Sequence, residues 1–203
     1  TEIETFLLDR ENPALKVNEG LSPLDKIIKK YSGISRVEAR GFIEKGKLFL
    51  LNKAPDQALK YFQKVVGNYA QQRSLAAEAA FLQSRIYELI GNQEKLVQSF
   101  VQVVRGFSDV PKWNQKAIEA IFHLHEKQLT LEKKVSRLQA LTQTYKDIPK
   151  LAAVIQNRIG ALYYNANENL LAKEAYKTTI KNYKQGESIK ARLSLAKIYA
   201  EEE

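Results

Sequence analysis

His123 and His125 are the only histidines in a 203-residue chain without cysteine, so metal or nucleophilic chemistry would have to start from them. Two residues apart on a helix, they point about 200° apart and cannot ligate one ion together. No Ser/His/Asp arrangement, metal-ligand spacing or glycine-rich phosphate loop accompanies them. The missing cysteines also remove thiolate sites and any disulfide framework. These absences predict a non-catalytic protein with neither cofactor nor metal. His125 is expected to be a packed core residue with a hydrogen-bond partner, as buried polar groups usually are.

Charge is the other chemistry available. The net charge is +9, and it is spread unevenly. Residues 1–35 hold 5 Lys/Arg and 6 Asp/Glu, residues 36–110 hold 11 and 7, and residues 111–203 hold 16 and 10. Lys173, Lys177, Lys181 and Lys184 form one helical stripe. Such a stripe could meet nucleic acid or an anionic membrane. Nucleic-acid grooves, however, interleave cations with exposed aromatics for stacking. Here the aromatics recur in packing positions, so a solvated face is the plainer reading.

Those aromatics reveal the elements that position everything else. FQKVVGNY at 62–69 is echoed by FVQVVRGF at 100–107, and LDKIIKKY, LQALTQTY and YKTTIKNY occupy the same register at 24–31, 138–145 and 176–183. Tyr31, Tyr69, Phe107, Tyr145 and Tyr183 thus recur every 38 residues, a spacing that marks stacked repeats. Within each octad the apolar spacing is helical. A second helical pattern precedes it, running in the first full repeat from about Val37 to Leu51, with Ser35-Arg36-Val37-Glu38 as a capping box. Asn52-Lys53-Ala54-Pro55 reads as the turn, with Pro55 suited to the first position of the next helix. Pro111 and Pro149, 38 apart, mark further helix starts. Helix pairs recurring at a fixed period predict an all-α solenoid of helical hairpins.

The pattern resembles the tetratricopeptide repeat family, whose first helix carries a small residue and an aromatic, and whose second carries Ala followed by an aromatic. Gly46 and Phe49 precede Ala58 and Phe62; Gly160 and Tyr163 precede Ala172 and Tyr176. Ser84, Tyr87, Leu96 and Phe100, then Phe122, His125, Lys134 and Leu138, are the middle copies, and Ala196 and Tyr199 take the first-helix slots near the end. The 38-residue period departs from the family's usual value of about 34. Longer repeats of this kind are similar to those of bacterial envelope proteins: outer-membrane assembly lipoproteins, Tol-Pal cell-division coordinators and ancillary translocon subunits.

The resemblance implies a right-handed superhelical solenoid of antiparallel helix pairs whose first helices line a concave groove. Ligand-facing positions carried over from the family are Arg40, Ile43, Lys47 and Leu50 in the first repeat, and Glu78, Phe81, Arg85 and Glu88 in the second. Lys116, Glu119, His123 and Glu126 follow in the third, and Val154, Asn157, Arg158 and Tyr164 in the fourth. A mixed groove of this kind suits an extended or helical peptide. Ile43, Leu82 and Ala120 stand where chaperone-binding relatives would need polar groups to clamp a carboxylate. The resemblance therefore implies a protein-binding scaffold in envelope assembly or secretion; the alternatives are a nucleic-acid or membrane binder, and a structural spacer self-assembling through its ends.

The domain plan expected is a tether over 1–21, a half repeat over 22–34, repeats at about 35–72, 73–110, 111–148 and 149–186, and a final helix at 188–200. The tether contains Pro13, Gly20 and the apolar patch Phe6-Leu7-Leu8. No run reaches the about 18–20 apolar residues of a membrane span. The opening on Thr1, the tether and the unmatched helices at both ends predict a piece of a longer protein. The expectation is an anchor before Thr1 that places the groove on the periplasmic side of a bacterial membrane, with a cytoplasmic location as the alternative.

Overall fold

The computed structural model describes residues 17–126, 129–183 and 186–202. Among these residues the chain is all helix and turn, without strand. Ten helices follow one another: α1 Val17–Lys30, α2 Ser35–Leu51, α3 Pro55–Asn68, α4 Arg73–Leu89, α5 Gln93–Gly106, α6 Pro111–Glu126, α7 Leu131–Thr144, α8 Pro149–Asn165, α9 Asn169–Asn182 and α10 Glu187–Glu201. First-type helices begin at 35, 73, 111, 149 and 187, and second-type helices at 17, 55, 93, 131 and 169. Both series step by 38, the period of the aromatic ladder.

The chain divides into two compact units, residues 1–119 and 120–203, with the boundary inside α6. In the first, α1 packs on α2, α2 on α3, α3 on α4 and α4 on α5, and α2 also touches α4. In the second, α7 packs on α8, α8 on α9 and α9 on α10, and α8 also touches α10. Within each unit these helices pack on their sequence neighbours, the local pattern of a hairpin solenoid.

Local chemistry sets the boundaries. Pro55 and Pro149 sit at the first positions of α3 and α8, where a missing N–H costs nothing. Between first and second helices, Lys53, Gly91 and Asn167 share one register and all have left-handed φ, at 56°, 72° and 62°. Glycine adopts that conformation freely; lysine does so at a cost. The ladder residues Tyr69, Phe107 and Tyr145 cap second helices, each donating its N–H to the carbonyl four residues back.

Three expectations need correction. Helix α1 begins at Val17 and not at Ser22, running through Gly20 and Pro23; Pro23 lacks a donor, so the Glu19 carbonyl loses its usual helical bond. Residues 1–16, which make up most of the expected tether, lie outside the described residues. The capping box closes differently: Glu38 accepts from the Gly33 N–H at 3.3 Å, and Ser35 makes no cap bond. On α10, Ala196 and Tyr199 are exposed, while Ile198, the residue 38 beyond Gly160, is buried.

The small-residue slots work as the pattern implies. A Cβ built on Gly46 would lie 2.4 Å from the Phe62 ring, and one on Gly160 would lie 2.7 Å from Tyr176. Phe62 is fully buried, so the ring cannot simply swing out into solvent. Gly46→Ala is therefore expected to destabilise the protein by ~1–3 kcal/mol, although alanine is the better helix former. Urea unfolding checks this; a neutral or stabilising result would mean that the ring moves aside.

Candidate functional site

In the first unit, the side chains carried over from the family mostly hold neighbouring helices together. Arg40 on α2 donates to both carboxylate oxygens of Glu78 on α4, at 3.3 and 3.1 Å. Lys47 donates to Glu44 at 2.9 Å and to Glu78 at 2.8 Å. Arg40 also lies 3.6 Å from Glu44. The Glu44 and Glu78 side chains are only 2% and 10% exposed, so this four-membered network is an inter-repeat clasp closed around two buried carboxylates. Its cations serve the fold first.

The apolar members are likewise drawn inward. Ile43 is fully buried in the cluster with Ala39, Phe62 and Ala79, so it cannot line a groove. The cause is packing: α2 is enclosed by α1, α3 and α4, and every residue from Gly41 to Gly46 is buried. Phe81 is half-buried, with its ring 5.5 Å from Phe100 and 5.3 Å from Trp113. Arg85 and Glu88 do reach solvent, paired with each other one turn apart. Leu51 and Leu89, 38 apart, and Ile90 are exposed large apolar residues at the ends of α2 and α4.

In the second unit, Arg158 on α8 grips the Glu126 carboxylate, donating from Nε at 2.8 Å and from a terminal nitrogen at 2.6 Å. The guanidinium also lies 5.6 Å from the centre of the Phe122 ring. That carboxylate raises the guanidinium's pKa, outweighing partial burial. Asn157 donates to the Glu187 carbonyl at 2.8 Å and to its carboxylate at 3.1 Å. The Tyr164 hydroxyl donates to Glu201, at 2.9 and 2.7 Å from its two oxygens, with Lys197 5.0 Å from the ring centre.

His123 is exposed. His125 is half-buried; desolvation, then the positive charge of Arg137, lowers its pKa. Its Nε2 finds no partner among the described residues, contrary to the satisfied core histidine expected. In the lysine stripe, Lys173 is tied to Glu202 and lies 4.9 Å from the Tyr199 ring centre. Lys177 and Lys181 are exposed, and Lys184 lies outside the described residues.

Sequence reading passed over Glu44 and also missed the strap formed by Arg73, which donates to Asp109 at 2.9 Å and to the Gly106 carbonyl at 2.7 Å. A signal for the clasp was available: Arg40 and Glu78 occupy the same register one period apart, and stacking makes such residues neighbours. Among the described residues no group of three His, Asp or Glu side chains could hold a metal ion. No described helix is long and apolar enough to cross a membrane. Set against known proteins, no family model matches this chain, and no curated protein matches it significantly.

Proposed function

We propose that the chain is a non-catalytic, tetratricopeptide-like scaffold that binds a peptide or helix of a partner protein, in bacterial envelope assembly or secretion. The observation that carries this reading is the unbroken 38-residue recurrence of helix starts. Repeat stacks of this kind present extended surfaces on one helix set, and such surfaces suit polypeptide ligands. The step from fold to ligand rests on the family resemblance, which is an analogy.

The first-unit residues free to meet a partner are Arg85 and Glu88 on α4, with the exposed apolar side chains of Leu51, Leu89 and Ile90. The salt clasp and Ile43 are set aside as structural. Crosslinking and mass spectrometry in the native host identify the partner. With that partner in hand, Arg85→Glu is expected to reduce capture several-fold at unchanged melting temperature, since its ion pair is a surface one. Lys177→Glu with Lys181→Glu is expected to leave capture nearly unchanged. The opposite ranking, with steep loss of affinity as salt rises, would point to the basic face and a phosphate-bearing ligand.

A further inference from the structure

A cleft of 340 Å³ opens in the second unit between the N-terminal halves of α7 and α9. Its lining is Val135 and Glu132 from α7, Tyr163 from α8, and Glu168 and Leu171 beside the start of α9, with three further α7 residues. Among the described residues no lysine or arginine lines it, in a chain whose net charge is +9. The volume lies at the small end of the range for ligand sites, enough for one large side chain.

Helix stabilisation explains only part of this arrangement. Glu132 shares its first-turn register with Asp56 and Glu94, where a carboxylate complements the helix dipole. Its own backbone N–H, then the Thr130 hydroxyl, lower its pKa and keep it ionised. Glu168 stands at the cap position of α9 yet makes no side-chain cap bond. Neither carboxylate forms an ion pair among the described residues. At the register of Asp56, Glu94 and Glu132, α9 instead carries Leu170, 77% exposed and next to Leu171. The helix dipole favours an acid there; leucine suits the helix by propensity, but that does not call for so exposed an apolar side chain.

We infer that this cleft is a second docking surface, which takes a basic amphipathic segment of a partner protein. An aliphatic side chain of that segment enters between Val135, Tyr163 and Leu171, Leu170 packs alongside it, and lysine or arginine residues pair with Glu132 and Glu168. The specificity is electrostatic: acidic segments meet two uncompensated carboxylates at the rim.

The test uses two fluorescein-labelled 14-residue peptides with identical leucine spacing, one flanked by arginines and one by glutamates, titrated by anisotropy into the full chain. The arginine peptide is expected to bind although the protein is itself strongly basic, and the glutamate peptide to bind far more weakly. Glu132→Gln with Glu168→Gln is expected to weaken the arginine peptide by up to about ten-fold, the product of two rim ion pairs. Leu170→Gln, at an exposed position, is expected to weaken it at unchanged melting temperature. Arg85→Glu leaves this binding alone, which separates the cleft from the surface on α4. The inference is overturned if the arginine peptide does not bind, if the glutamate peptide binds as well, or if the Gln variants bind like wild type.

Discussion

Phe62→Ala is expected to lower the unfolding free energy by ~3–5 kcal/mol, the range for large-to-small changes in a closed core. Phe62 is fully buried, and its ring lies against the backbone of Gly46. A glycine offers no side chain to fill the space vacated, so the cavity persists. The loss spreads because neighbouring repeats stabilise each other through their shared interfaces. Urea titration followed by circular dichroism reads it directly. As a contrast, Lys64→Ala removes an exposed side chain 4.0 Å from the centre of the Phe42 ring and is expected to cost under about 1 kcal/mol. Equal effects from the two changes would contradict the core assignment of Phe62.

The second large effect belongs to the clasp. Replacing Arg40 and Lys47 together with alanine removes these two cations from the buried carboxylates of Glu44 and Glu78. Breaking a buried pair from one side costs ~3–5 kcal/mol. The lower end is expected here, because Arg40 and Lys47 are 35% and 33% exposed and water already reaches them. Substituting all four members with leucine or methionine is expected to recover most of that stability, as apolar replacement of buried ion networks commonly does. A quadruple variant no better than the double one would show that the clasp itself stabilises the stack, beyond merely avoiding bare carboxylates.

The architecture was legible because one repeating signal carried it. An aromatic ladder of fixed interval predicts helix ends, and Tyr69, Phe107 and Tyr145 do cap their helices. Proline and the left-handed turn at Lys53, Gly91 and Asn167 fall where the pattern leaves room for them. The candidate face was far less legible. Family positions assume that a first helix keeps one free arc, whereas α2 has neighbours on three sides and draws Ile43 into the core. Arg158 reads as a ligand-binding cation in sequence, but Glu126 from the preceding repeat already occupies it. Such pairings depend on which residues stacking brings together, and no single helical wheel displays that. The capping box failed for a smaller reason: a shift at the helix start hands the Glu38 bond to Gly33.

The described side-chain hydrogen bonds close within one period: 38 residues for Arg40 to Glu78, 37 for Tyr164 to Glu201 and 36 for Arg73 to Asp109. Among the described residues this fold is sewn with short stitches, and that has consequences under load. Stretched in an optical trap, those residues offer no distant clamp that must fail first, so their seams part hairpin by hairpin. The force trace then becomes a row of small teeth rather than one tall peak. Elasticity of that kind lets a repeat stack lengthen under strain and recover, since each hairpin refolds against a neighbour that never left.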